Sequence, residues 1–274
     1  MDRAPSALLG AVPNGLSLPI AEIVGTLAYA ATPRAREAVL ANLRVIAPDR
    51  ANGATARRVF VEQTRNYIEV FRVPRMSKAQ LLASVDMFGW DHYLAAEARG
   101  KGLIVASAHL GPISVVGQIL SAHGYRVVLP VETERGAFAR ALNRARRSMG
   151  LELVPTETPL AVFRALKDGK VFGILADRAV TGVGERVPFF GREALLPSAH
   201  IALGLRSGAP VIPAFSGRVR GRYTASFEPA LDLVPTGDRQ ADLRDGVAKW
   251  AAALERYVRR APEQWAVFER VWDG

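Results

Sequence analysis

Cysteine is absent from the 274 residues. The chain therefore has no disulfide framework, no Cys-ligated zinc, no iron–sulfur cluster and no thiol nucleophile. Aromatic residues are scarce at 8%, and lysine is scarcer still: only positions 78, 101, 167, 170 and 249 carry it, so arginine supplies the rest of the 36 basic residues. No G-x-S-x-G nucleophile elbow and no G-x-x-x-x-G-K-[ST] phosphate loop occurs. Gly182-Val183-Gly184 lacks the third glycine and the strand-to-helix setting of a dinucleotide fingerprint. His92, His109, His123 and His200 are too dispersed for a metal motif, so neither a metal nor a cofactor is expected. Met1-Asp2-Arg3 lacks a basic n-region, and no cleavable signal peptide is expected. Long hydrophobic runs are also missing. Ala7–Ala31 comes nearest, but Pro13, Asn14, Gly15, Pro19 and Glu22 leave a clean run shorter than the ~20 residues of a span.

What is present is a chain that is 49% hydrophobic, long enough for one large core, with a formal net charge of +10. Neither disorder nor low complexity fits that composition. The arginine excess has two readings: genomic base composition, or a role for guanidinium forks, which suit phosphate and carboxylate groups. The charge points to an anionic partner: nucleic acid, a membrane surface or an acidic ligand. No zinc spacing, no RNA-recognition aromatic box and no basic run interleaved with aromatics is found, so no nucleic-acid partner is expected.

The first hundred residues read as mostly helical. Leu16–Ala31 is an interfacial or core-packed helix, with Arg34 and Arg36 placed to meet anionic headgroups. Pro33–Ala47 and Thr55–Phe71 show helical apolar spacing, and Ser77 caps a short helix to Ala83. From Gly102 the pattern changes. Leu103–Ser107 is a short apolar run of the kind buried on both faces of a sheet. Arg126–Val131, Leu151–Pro155, Val171–Ala176 and Pro210–Phe215 are similar, and Tyr223–Phe227 alternates. Helical patterns over Pro112–Ala122, Ala137–Met149, Pro159–Asp168 and Pro197–Ser207 separate several of them, and Gly237–Tyr257 is a long C-terminal helix. Strands alternating with helices predict an α/β fold: a single domain with a largely parallel central sheet flanked by helices. Residues 1–100 form a helical, membrane-associating extension packed on a core over 101–274.

His109 is placed unlike the other histidines. It follows the strand Leu103–Ser107 and precedes Gly111-Pro112, an N-cap and first helical residue. That is the carboxyl end of a strand facing a helix N-terminus, where open α/β sheets hold ligands. Free N–H groups there suit a developing oxyanion. His92, His123 and His200 are assigned to surface or packing roles, and Trp265 and Phe268 to packing of the C-terminus. Arg140, Arg144 and Arg147 share one helix face by their spacing. That face is either solvated or a patch for a carrier or headgroup.

Ala108-His109-Leu110-Gly111-Pro112-Ile113-Ser114 resembles the His-x4-Asp/Glu box of glycerolipid-type acyltransferases. Its closest likeness is the form found in the bacterial lipid A biosynthesis (lauroyl/myristoyl) acyltransferase family, within the lysophospholipid acyltransferase superfamily. Phe88 to Tyr93 leading to Gly102, Arg144 to Gly150, Ala176-Asp177-Arg178, Val187 to Arg192, Gly208 to Pro213 and Pro262-Glu263-Gln264-Trp265 resemble further blocks of that family. They occur in its order over roughly residues 30–270. The resemblance implies a glycerolipid acyltransferase-like fold and transfer of a fatty acyl group from an acyl carrier protein or coenzyme A thioester, as co-substrate, to a hydroxyl of an anionic membrane lipid or glycolipid. It implies peripheral attachment to the cytoplasmic face of the bacterial inner membrane. His109 would be the general base. Arg144, Arg147, Arg178 and Arg192 would bind phosphates, and Phe189, Phe190 and Gly191 complete the substrate-binding set, the two phenylalanines in the core or in an acyl tunnel wall.

The family's box acid is replaced here by Ser114, whose hydroxyl accepts a hydrogen bond but brings no charge. Three readings stay open. Asp177 or Glu132, at neighbouring strand ends, supplies the carboxylate; or His109 and Ser114 form a weaker pair; or the chain binds lipid without turning it over.

Overall fold

The structure is a computed structural model that describes residues 14–131, 136–156, 158–179 and 182–272. Four helices come first: α1 (Asn14–Ala31), α2 (Pro33–Ile46), α3 (Gly53–Arg72) and α4 (Lys78–Ala83). Local chemistry sets their starts. Pro33 takes the first turn of α2, where its missing N–H costs nothing. The Asn52 side chain accepts from Thr55 N to cap α3, and Ser77 with Gln80 forms a capping box on α4.

A short strand, β1 (Val85–Phe88), and α5 (Trp90–Glu97) precede β2 (Leu103–Ser107). Then follow α6 (Ile113–Ala122), β3 (Val127–Val131), α7 (Gly136–Ser148), β4 (Glu152–Pro155), α8 (Pro159–Lys167) and β5 (Val171–Leu175). A hairpin, β6 (Glu185–Phe189) and β7 (Arg192–Leu196), leads into α9 (Ala199–Ser207), β8 (Val211–Val219), β9 (Arg222–Phe227) and α10 (Arg239–Arg260).

Among the described residues seven strands form one sheet in the order β1-β9-β8-β2-β5-β3-β4. Its pairings are parallel except for β8 with β9. This is the predicted α/β architecture, a single domain. One feature of the first hundred residues differs from the helical reading. β1 pairs in parallel with β9, Val85 opposite Tyr223, so the sheet draws a strand from before residue 100. The hairpin β6–β7 was also not predicted; it pairs only with itself.

All five residues of β2 are buried, and their alternation serves the two faces of the sheet. Ile104 and Ala106 join the core with Val247, Trp250 and Leu254 of α10. Leu103 and Val105 join the core with Val115, Ile119 and Leu120 of α6. Helix α3 is fastened to β8 by a buried charge cluster. Arg218 donates to Glu62 Oε2 at 2.7 Å, to Asn66 Oδ1 at 2.6 Å, and to both carboxylate oxygens of Glu69.

Candidate active site

Parallel register brings the site together. Ser107, the last residue of β2, lies opposite Leu175, the last of β5, and Ala176 N extends the ladder with a 2.8 Å bond to Ser107 O. Two residues beyond each strand end stand His109 and Asp177. Their side chains meet: His109 Nδ1 lies 2.8 Å from Asp177 Oδ1. The backbone N–H of His109 donates to Asp177 Oδ2 at 2.8 Å, and the indole N–H of Trp265 donates to the same oxygen at 2.9 Å.

Burial decides the character of this pair. The Asp177 side chain is 0% exposed, the His109 side chain 26%. Burial alone would push the Asp177 carboxyl up. Facing His109 and accepting three donors outweigh that penalty, and the group is held below its ordinary value. An ionised carboxylate only accepts, so the hydrogen lies on Nδ1. The Nε2 atom then carries the lone pair, as a general base requires.

The loop carrying His109 is held from two sides. Gly111 N donates to Gln264 O at 2.9 Å and Ala266 N to His109 O at 2.8 Å, with a bridge between Leu110 and Trp265. The Ser216 hydroxyl donates to Leu110 O at 2.6 Å. Gly111 has φ of +59°, and a Cβ there would stand 2.9 Å from Ser216 O and from Gly217 Cα. Only glycine fits both the conformation and the space. Helix α6 begins at Ile113 with Pro112 as its N-cap, one residue later than the sequence suggested.

His109 opens onto a cavity of about 1030 Å³. Its walls are mostly apolar: Val105, Val116, Leu120, Leu129, Val162 and Phe172 among them. Ser107 and Ser114 lie on it with His109, and Arg206, Arg239 and Asp242 also line it. A second cavity, about 320 Å³, is lined by Asp177, Arg178, Arg186, Glu193, Glu269, Arg270 and Trp272. Arg178 lines both, with its guanidinium bonded to Glu269 at 2.7 and 2.9 Å.

Of the residues the sequence pointed to, His109, Ser114, Asp177 and Arg178 come together here. The partner of the imidazole is Asp177, with Ser114 on the cavity wall. Glu132 lies outside the described residues. Phe189, Phe190, Gly191 and Arg192 line neither cavity. Phe189 is buried and stacks on Trp272 at 5.5 Å, and Phe190 packs edge-on to it at 4.9 Å. They build the core behind the site. Arg144 and Arg147 are exposed on α7. Arg146 is the residue of that helix that reaches the large cavity, where burial lowers its pKa. Its position off the 140/144/147 face concealed it. Trp265 was read as packing alone; it is buried, but its N–H is aimed at Asp177. Arg186 and Arg270 had no spacing to mark them.

The other histidines lie elsewhere. His92 Nδ1 is 3.0 Å from Phe227 O, His123 lies against Trp90 at 4.9 Å, and His200 is fully buried beside Trp250 at 5.3 Å.

Comparison with known proteins identifies the family. The family model of the bacterial lipid A biosynthesis acyltransferases matches residues 4–273. A phosphatidylinositol mannoside acyltransferase of Mycobacterium tuberculosis (strain CDC 1551 / Oshkosh) is 27% identical over 219 residues, 76% of this chain and 67% of the relative. The protein of the same description from Mycolicibacterium smegmatis is 25% identical over 214 residues, 76% and 69% of the two chains.

Proposed function

The chain belongs to the bacterial lipid A biosynthesis acyltransferase family, an acyltransferase acting on lipids, and from that premise we propose a single-step transfer with His109 as general base. The donor is a fatty acyl thioester of acyl carrier protein or coenzyme A. The acceptor is a hydroxyl of an anionic membrane lipid or glycolipid. His109 Nε2 takes the acceptor's proton as its oxygen forms a bond to the thioester carbonyl carbon. The tetrahedral oxyanion faces the N-terminus of α6, whose dipole favours negative charge. Its collapse breaks the C–S bond, and the imidazolium returns the proton to the departing thiolate. No acyl-enzyme is needed.

The observation that carries this reading is the buried Asp177 carboxylate bonded to a partly exposed His109 that opens onto a large apolar cavity. The cavity wall suits a fatty acyl chain, each buried methylene contributing about 0.8 kcal/mol. Arg178, on both cavities, suits an acceptor phosphate. The reading as a non-catalytic lipid binder was motivated by the missing charge at Ser114; Asp177 offers that charge from another strand.

Membrane attachment belongs to the same proposal. No helix among the described residues is long and apolar enough to cross a membrane. Helix α1 packs one side on α3 through Ala21 and Gly25, where a Cβ would lie 2.6 Å from Val61 Cα. Its outer side exposes Leu16, Ile23, Val24 and Leu27. That stripe suits peripheral insertion into the cytoplasmic face of the inner membrane.

The test is acyl transfer from a long-chain acyl thioester to a mixed phospholipid and glycolipid acceptor pool. His109→Ala is expected to lower kcat by about 10³-fold or more while the chain keeps its fold. Undiminished turnover in that variant would exclude the mechanism.

A further inference from the structure

We propose that Trp265 is a positioning residue of the acyl-transfer reaction: its indole N–H fixes the Asp177 carboxylate on the imidazole of His109, and its backbone segment fixes the loop that carries the histidine. This rests on the reading of His109 as general base. Trp265 lines neither cavity and is buried, so it acts on the reaction only through Asp177 and His109.

Three observations converge on it. The indole N–H reaches Asp177 Oδ2 at 2.9 Å, the oxygen that also accepts from His109 N. Oδ2 is thereby occupied by two donors, and Oδ1 is the oxygen left to face Nδ1. A carboxylate without the indole donor has rotational freedom about its Cβ–Cγ bond and a less balanced charge. Second, the residues on either side of Trp265 bond the histidine loop directly, Gln264 O from Gly111 N and Ala266 N to His109 O. Third, the segment is itself tied down. The Gln264 side chain accepts from Arg218 N at 2.8 Å and donates to Arg218 O at 3.0 Å. Arg218 in turn is held by the carboxylates of α3. A chain of buried bonds thus runs from α3 through β8 and residues 264–266 to the imidazole.

The sign of the effect follows from the charges present. His109 faces Asp177 from the β2 loop; Arg178 follows it in sequence and is paired with Glu269. Arg186, Glu193 and Arg270 lie across the smaller cavity. Among the described residues, Oδ2 accepts from His109 N and from the Trp265 indole. Removing the indole N–H leaves more negative charge facing Nδ1–H, so the imidazolium gives up its Nε2 proton less readily. The acid limb of the rate profile then moves to higher pH.

The test uses the full chain with Trp265→Phe and, to preserve shape, Trp265 replaced site-specifically by benzothienylalanine, in which sulfur stands for the N–H. Acyl-thioester turnover is followed against pH, and the His109 imidazole is titrated by 15N NMR in the same proteins. Both variants are expected to lose about ten- to hundredfold in kcat with the donor KM within about twofold. The acid limb and the imidazole titration should move up together. A benzothienylalanine variant with wild-type kcat, acid limb and imidazole titration would overturn the assignment. A loss of melting temperature with an unmoved titration would also overturn it, since that is all a packing role predicts. If the wild-type chain showed no turnover, the acyl-transfer reading would fall, and the NMR titration would still decide the placement of Asp177.

Discussion

A carboxylate with no exposed surface stays ionised only where its surroundings replace the water it has lost. Asp177 achieves this with three donors, one of them the facing imidazole, and its folded pKa lies below the ordinary carboxylate value. The sign of the linkage follows. Asp177 contributes stability that is present above its unfolded value and is lost as pH falls through the depressed one. The residue scale is also where the sequence was most ambiguous. His109 was legible because a strand, a histidine, a glycine and a proline follow one another locally. Its partner was one of several candidates, because choosing Asp177 requires the register of β2 on β5, which residues 107 and 175 alone do not disclose. The pairing bears on Ser114. With Nδ1 already held by Asp177, Ser114→Glu is expected to give no gain in kcat, measured by thioester turnover. A gain of tenfold or more would show that the box position, rather than Asp177, limits the base.

At the scale of elements, the helices and the buried strands were legible because their periodicities are strong and their caps local. β2 matched its predicted bounds, 103–107, and most others shifted by only a residue or two at each end. The misses have separate causes. β1 is four residues long, and its partner β9 lies more than a hundred residues away. In the hairpin, Pro188 interrupts β6 and conceals it as a strand, and of the two places left open for Phe189 and Phe190, core or tunnel wall, they take the core. Helix α1 has two unlike sides. Gly25 lets it lie close on α3, and Glu22 holds Arg57 and Arg58 of that helix at 2.7 Å each. The outward Ile23 and Leu27 are each 63% exposed. Ile23→Asp combined with Leu27→Asp is expected to weaken binding to anionic phospholipid vesicles by roughly tenfold or more, read by flotation. The melting temperature should hardly change, because neither side chain is packed. Unaltered vesicle binding would remove α1 from the membrane contact.

For the whole molecule, the helical N-terminus and the sheet are one cooperative body, since Arg218 of β8 closes on Glu62 and Glu69 of α3 and β1 completes the sheet. Stability should therefore respond as a unit to the one histidine that the core keeps neutral. Burial of His200 pushes its pKa down to about 3 from 6.5. Above pH 6.5 both folded and unfolded chains hold it neutral, and it has no effect. Between 6.5 and about 3 the unfolded chain takes a proton that the folded chain refuses. Stability then falls by up to about 1.4 kcal/mol per pH unit. His200→Leu is expected to flatten the dependence of melting temperature on pH across that window. A slope identical to wild type would mean that the imidazole is protonated within the fold.

The central claim is that the ends of two parallel strands assemble a base from His109 and Asp177. Asp177→Asn tests it most directly, because the amide keeps the size and removes the charge. By analogy with the orienting aspartate of serine proteases, kcat for acyl transfer should fall by about 10⁴-fold with the donor KM little changed. A folded Asp177→Asn chain with kcat within tenfold of wild type would contradict it.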